Sequence, residues 1–286
     1  MNYTMTKRFI IGLILGLSIM IPGLGPSTVM IYTNTYNDII TSVSNLKSSF
    51  KKNFNFLLPI VISALIGFVF GLLIIKFLFE LAPLYWIYVF AGIMIALFPS
   101  VVKEKETKLD FKSIMFILLG VVIPLILLLI TNNLFTFSNI TYSFIDYTKL
   151  FVVGFLIALT QLIPGLSATI LLMTLGIFYF LLDGIGFSLI TNPKLLLVYV
   201  VMLIGVIVGV LAITKFISWL LSKFSYNMHC VTIGLSISSI FLLLLNKEVI
   251  NYYPLLRWWE IIIIVILMIT TIILILGIKK YKCIKK

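Results

Sequence analysis

The sequence predicts an all-α integral membrane protein built from two inverted-topology repeats, each a re-entrant helical hairpin followed by three transmembrane helices. Three observations carry that prediction. The chain of 286 residues is 62% hydrophobic and only 10% charged, far above the roughly half apolar content of a soluble domain. An interrupted apolar segment near the N-terminus returns in mid-chain at a fixed spacing. The basic residues gather at the ends of apolar runs, where they constrain how often the chain crosses the bilayer.

A hydrocarbon layer about 30 Å thick calls for about 20 mostly apolar residues per helix. The first apolar stretch follows Lys7 and Arg8 and runs to Ile21. Its basic start and the small residues after it look like a secretory signal, but the same segment type recurs in mid-chain, where no cleavable signal can sit. It is therefore expected to belong to the mature fold. Gly12 to Val29 (GLILGLSIMIPGLGPSTV) aligns with Gly154 to Leu171 (GFLIALTQLIPGLSATIL), so Ile21-Pro22-Gly23-Leu24 falls on Ile163-Pro164-Gly165-Leu166. The offset is 142 residues (164 − 22). Downstream, Gly67 and Gly71 pair with Gly205 and Gly209, and Gly92 pairs with Gly234. A self-match of this kind marks tandem copies: residues 1–131 and 150–278 of a single transmembrane domain covering 1–286, with a basic tail at 279–286.

Each copy opens with an apolar stretch broken by Pro-Gly and small hydroxyl residues. Such a break leaves backbone groups unpaired, which lipid tolerates only where protein or a water-filled cavity surrounds it. Paired breaks at matching positions predict re-entrant helices and a binding site between them. Plain spans follow at about Phe56–Phe79, Leu84–Ser100 and Ser113–Thr131, then at about Leu195–Leu221, Met228–Leu245 and Trp258–Ile278. Tyr85, Trp86, Tyr88, Trp258 and Trp259 flank these spans as an interfacial aromatic belt does.

If each hairpin returns to its own side, Lys7, Arg8, the basic cluster from Lys103 to Lys112 and the C-terminal lysines share the cytoplasmic face. Only Lys149, Lys194, Lys247 and Arg257 then lie outside. Hairpins that crossed would move the Lys103–Lys112 cluster outside, against the positive-inside rule. Three spans per copy is an odd number, so the second copy enters from the opposite face and both termini are cytoplasmic. This topology accounts for the formal net charge of +12 without a nucleic-acid partner. Cys230 and Cys283 form no CxxC pair, and no Walker loop, zinc signature or nucleophile elbow occurs. The sequence therefore argues for a transporter rather than an enzyme, and names no metal and no cofactor.

The candidate site lies at the two breaks, Pro22–Thr28 and Pro164–Thr169. A helix that starts after a Gly-rich break aims free N–H groups and its positive end into the cavity, which suits a phosphate or carboxylate. Ser27 and Thr28, and then Ser167 and Thr169, add hydroxyl donors. The same residues would act as kinks, caps and packing devices in a non-transporting scaffold. Repetition at a fixed offset is what favours a site. Lys76 and Lys215 are candidates for charge neutralisation, since cations within a membrane are costly. Each also sits within a turn or two of a span end, where a lysine stem reaches the interface. His229, Asp38 and Asp183 are candidate proton carriers at segment ends.

These residues resemble a bacterial membrane family, long catalogued as a domain of unknown function and now associated with polyprenyl-phosphate transport. The resemblance rests on Gly16–Thr28 (GLSIMIPGLGPST) and Gly154–Ile170 (GFLIALTQLIPGLSATI) and covers nearly the whole chain. It implies a carrier that returns undecaprenyl phosphate, the lipid carrier of cell-wall synthesis, across the bacterial cytoplasmic membrane. It also implies headgroup contacts at Pro22, Gly23, Ser27, Thr28, Pro164, Gly165, Ser167 and Thr169. Two departures stand out. Where the family often has an Asp three residues before the first proline, Ile19 stands here and Gln161 occupies the matching second position. Gly25-Pro26 replaces a Ser-Gly pair, and Pro26 removes one backbone donor; Gly25 and Gln161 join the expected contacts. The alternative reading is a secondary transporter of a small soluble anion through a closed aqueous cavity, whereas a lateral opening favours the lipid.

Overall fold

The computed structural model describes residues 3–22, 24–102, 110–134, 142–186, 189 and 191–284. Gly23, expected at the first break, and Lys103, Lys105, Lys108, Lys285 and Lys286 lie outside the described residues. The described residues are helical, with short turns and no strand.

Helix α1 (Met5–Met20) begins after Thr4, whose side chain accepts a hydrogen bond from the Lys7 amide. It stops at Ile21, which is extended at φ −78° and ψ 116°, because a residue that precedes proline is pushed out of the helical region. Pro26 then supplies the fixed φ of a first helical position for α2 (Pro26–Tyr32). A turn with Asn34 at φ 55° leads into α3 (Tyr36–Ser44). Three long helices follow: α4 (Phe50–Leu81), α5 (Pro83–Val102) and α6 (Phe111–Leu134).

The second copy starts with α7 (Phe144–Leu162), closed at its N-terminus by a reciprocal Ser143–Asp146 capping box. Ile163, before Pro164, ends it at φ −93° and ψ 118°. Then come α8 (Ala168–Thr174), α9 (Phe178–Asp183), α10 (Pro193–Lys223), α11 (Ser225–Leu244), a short α12 (Lys247–Tyr252) and α13 (Trp258–Ile284). The element bounds repeat at the sequence offset: α1 and α7 end at Met20 and Leu162, α2 and α8 start at Pro26 and Ala168, and α3 and α9 start at Tyr36 and Phe178. The plain spans read from the sequence are all present, with ends within six residues of those expected. Backbone helix continues through most of the expected tail, to Ile284.

Among the described residues, six helices are long and apolar enough to cross a membrane: α4, α5, α7, α10, α13, and α11 with its short extension to Tyr252. The presence of α7 in this set differs from the reading of that segment as one limb of a hairpin. Its 19 residues measure about 28 Å, so length alone does not keep it from crossing.

Direction of travel follows from the helix contacts. Gly12 packs on Ile60 and Ser63, Gly16 on Ala64 and Phe68, and Gly71 on Leu17 and Met20, so α1 and α4 rise together side by side. At the start of the pair, Arg8 Nη1 donates to the Asn55 carbonyl at 3.3 Å and its guanidinium lies 5.2 Å from the Phe56 ring centroid. The chain that leaves α1 at Met20 is back beside that start by Asp38, whose Oδ2 accepts from Tyr3 Oη at 2.9 Å. The second copy repeats this, with Gly154 against Met202, Gly209 against Ala158, and Lys194 Nζ 6.0 Å from the Tyr142 ring at the shared start of α7 and α10. Small residues allow such close backbones where lipid supplies no hydrophobic drive between helices.

The packing corrects the two glycine pairings read between α4 and α10. Gly67 is approached by the Leu13 carbonyl and Gly209 by the Phe155 carbonyl, so Gly67 corresponds to Gly209, not Gly205. Both correspondences keep the 142-residue offset (209 − 67 and 155 − 13). Between copies, α6 packs on α11, α13 packs on α5, and α5 packs on α11. Exchanging the copies maps this set onto itself. Among the six spanning helices α11 is the most enclosed, with Met228 to Ser236 buried without interruption.

Candidate functional site

The two breaks meet at the centre of the bundle. A Cβ on Gly25 would lie 3.0 Å from the Leu166 carbonyl oxygen. Thr169, on α8, sends its hydroxyl to the carbonyls of Ile19 and Met20 at 3.3 and 3.4 Å. These belong to the last turn of α1, where carbonyls have no partner within the helix. In return, Tyr36 Oη on α3 donates to the Leu162 carbonyl at the end of α7, at 2.8 Å. Each copy thus completes a helix terminus of the other. Pro22, Pro164, Ser27, Thr28, Ser167 and Thr169 are all buried.

The second break also leans on α11. Gly165 has φ +90°, and its carbonyl accepts from Ser239 Oγ at 2.9 Å. Thr28, Gly165 and Ser236 share a cleft of about 20 Å³ with Met94, Leu97 and Phe98 of α5, room for about one water molecule. Among the buried polar atoms that lack a hydrogen-bond partner in the described residues, two lie at or beside the breaks: Ser27 Oγ, on a fully buried residue, and Gln161 Oε1. A buried polar group in that condition calls for an explanation, and both belong to the predicted site.

A larger cavity of about 440 Å³ lies against the second break, bounded by α6, α7, α8, α10 and α11. Ile163, Leu166 and Ser167 form part of its wall, and the rest is mostly aliphatic. A volume of this size is that of an ordinary small-molecule pocket.

The model of the VCA0040-like family, described as undecaprenyl phosphate translocase-like, matches residues 15–255. That stretch takes in both breaks and the meeting point between them. The chain belongs to the undecaprenyl phosphate translocase-like family. It is also similar to the polyprenyl-phosphate transporter of Staphylococcus aureus (strain NCTC 8325 / PS 47), 24% identical over 234 residues that cover 80% of this chain and 83% of that protein. No solved structure matches.

In this family member, the two candidate lysines sit away from the breaks. Lys76 Nζ donates to the Ile185 carbonyl after α9 and lies 3.8 Å from Glu80. It is engaged near the end of α4. Lys215 is exposed on α10. Neither contact set brings a positive charge to Ser27, Thr28, Ser167 or Thr169. His229 is buried at the start of α11 with Nε2 3.4 Å from the Val102 carbonyl, and Asp183 is exposed at the end of α9. Asp38 is bound to Tyr3, and the Tyr3 hydroxyl titrates above its ordinary value, chiefly because it donates to Asp38, with burial and the Asp38 charge adding to the shift.

The sequence reading passed over the hydroxyl stripe Thr232, Ser236 and Ser239, spaced i, i+4 and i+7 on one face of α11. Thr232 and Ser236 bond back to their own helix, at Met228 and Thr232 respectively. Only Ser239 reaches across, to Gly165. The periodic hydroxyls within an apolar span were the available signal.

Proposed function

We propose that this member of the family carries polyprenyl phosphate between the leaflets of the bacterial cytoplasmic membrane, as a flippase that recycles a lipid carrier for cell-envelope synthesis. In this reading the two copies are inverted repeats, their broken segments are re-entrant hairpins, and both termini are cytoplasmic. The return of the chain from Met20 to the side of Tyr3 supports the hairpin, and the basic clusters support the orientation. The family description and the name of the staphylococcal relative support the substrate.

One observation carries the mechanism: the two breaks meet in protein, Ser27 Oγ and Gln161 Oε1 are buried without a partner among the described residues, and the second break lines an apolar cavity. Ser27 offers a donor to a phosphate oxygen, and Gln161 Oε1 offers an acceptor to a protonated one. Pro22, Gly23, Gly25, Thr28, Pro164, Gly165, Ser167 and Thr169 complete the headgroup contacts. The 20 Å³ cleft is too small for a phosphate, so the headgroup enters only when the tips part. Thr169 and Tyr36 then exchange their carbonyl partners for the ligand or for water, and the site faces one leaflet at a time. No covalent step is required. A soluble anion would have no use for the aliphatic cavity, so the lipid is the better substrate.

The test is movement of labelled polyprenyl phosphate by the purified protein in liposomes, with Ser167 and Thr169 changed together to Ala. The expected result is flipping by the wild type and a slower rate in the double variant. A wild-type protein that moves inorganic phosphate but not the lipid would overturn the reading.

A further inference from the structure

The 440 Å³ cavity has four properties that bear on what fills it. First, at liquid-like packing an isoprene unit takes roughly 100 Å³, so the space holds about four. Second, the hydroxyls on its wall are already engaged: Thr160 donates to the Ile157 carbonyl at 2.7 Å, Thr174 to Leu171 at 2.8 Å and Ser239 to Gly165 at 2.9 Å. What they present to the cavity is carbon, so a hydrated or anionic occupant would lose more hydrogen bonds than it gained. Third, Ile163, Leu166 and Ser167 belong both to the cavity wall and to the second break, which makes the space continuous with the headgroup site.

Fourth, one wall is held on one stripe. Over residues 111–126 of α6, only Ser113, Gly120 and Pro124 are buried. Ser113 Oγ lies 2.9 Å from Tyr226 Oη at the start of α11. A turn or two further on, Gly120 and Gly234 cross so closely that a Cβ on either would sit 2.2 Å or less from a backbone carbonyl of the other helix. At that crossing and one turn past it, Leu119 and Ile123 line the cavity while 50% and 37% exposed. From the crossing to residue 126 only Pro124 is buried, so this part of the helix can swing without breaking a packed core.

We propose that this cavity seats the phosphate-proximal part of the prenyl chain, about four isoprene units, and that α6 is the side wall that swings about the Gly120–Gly234 crossing to admit the chain from the bilayer. The inference rests on the lipid-carrier reading above and adds a binding site to it. The remainder of a long chain stays among lipid tails, where it gains or loses little, because lipid is as apolar as the helix faces.

The full-length protein in liposomes tests this with a polyprenyl phosphate that carries a photoactivatable diazirine within its first four units. Label is expected on residues 116–124 and 156–174. Label on α4 or α13 instead would overturn the proposal. Leu119→Trp with Ile123→Trp fills the cavity from partly exposed positions that tolerate bulk. Flipping should fall by roughly tenfold or more with the thermal midpoint unchanged, while Leu274→Trp, exposed on α13, keeps the wild-type rate. Equal rates in all three proteins, or equal losses in both variants, would remove the chain seat. A wild-type protein that flips the lipid would leave the transport reading standing in either case, and one that does not would remove that reading itself.

Discussion

Replacing Gly165 with Ala separates conformational strain from packing at the second break. The residue has φ +90°, where an L side chain costs about 1–2 kcal/mol. The new Cβ would also lie 2.7 Å from Ser236 Oγ and from the Thr232 carbonyl oxygen, and 3.2 Å from the Ser236 amide. Two of those three atoms are backbone of the buried helix α11 and cannot rotate away. Overpacking of this kind adds about 1–3 kcal/mol, for a total of about 2–5 kcal/mol. Gly176 supplies the control: its φ is +69°, yet nothing lies within 4 Å of a Cβ there, so Gly176→Ala should cost only the strain, about 1–2 kcal/mol. Reversible unfolding in mixed micelles measures both, and the difference isolates the contact with α11. Flipping should fall further in Gly165→Ala than in Gly176→Ala, because pushing the break off α11 also stretches the Ser239 hydrogen bond. Equal destabilisation of the two variants would refute the idea that the break is pinned by α11.

Three further outcomes are expected. Ser27→Ala removes a buried hydroxyl that has no partner among the described residues, so stability should be unchanged or slightly higher while flipping slows; a large loss of stability would show that Ser27 makes a structural bond. Tyr36→Phe deletes the 2.8 Å donation to the Leu162 carbonyl, leaving a buried acceptor unpaired at a cost of about 1–3 kcal/mol; an unfolding midpoint equal to wild type would show that water replaces the bond. The raised pKa of the Tyr3 hydroxyl fixes the sign of a pH effect: the protonated form is favoured in the fold, so the stabilisation is fully present below the ordinary tyrosine value of about 10 and is lost as pH rises through the higher folded value. The protection of the α3 amides, taken relative to their intrinsic exchange rates, should therefore fall above about pH 10 in the wild type. In Tyr3→Phe that pH dependence should vanish, and a persistent one would assign it elsewhere.

The architecture was legible because its strongest signals are local. Pro22 and Pro164 each force an extended residue before them, and Ile21 and Ile163 are extended in the structure. Spans of apolar residues bounded by polar ones gave α4, α5, α6, α10, α11 and α13 to within a few residues. The mismatch between Gly67 and Gly205 has an equally physical origin, since a shift of four residues is about one helical turn and returns to the same face. Sequence spacing cannot distinguish the two registers, and only the approach of Leu13 and Phe155 does. Lys76 was read as a candidate from its depth in an apolar run, but its partner, the Ile185 carbonyl, lies 109 residues away. The Ser239 contact with Gly165 likewise joins residues 74 apart. A hydroxyl stripe marks Ser239 in the sequence, but no spacing names the distant partner in either pairing.

The mutual capping of α1 and α7 is not an even trade. The first copy lends Tyr36 to Leu162, and the residue at the matching place in the second copy is Phe178, which has no hydroxyl to give back. The second copy lends Thr169 to Ile19 and Met20, and its counterpart Ser27 makes no such bond. The matching ends of α1 and α7 are therefore held by unlike donors, a threonine from α8 and a tyrosine from α3, so a substitution that uncaps one helix end leaves the other fastened.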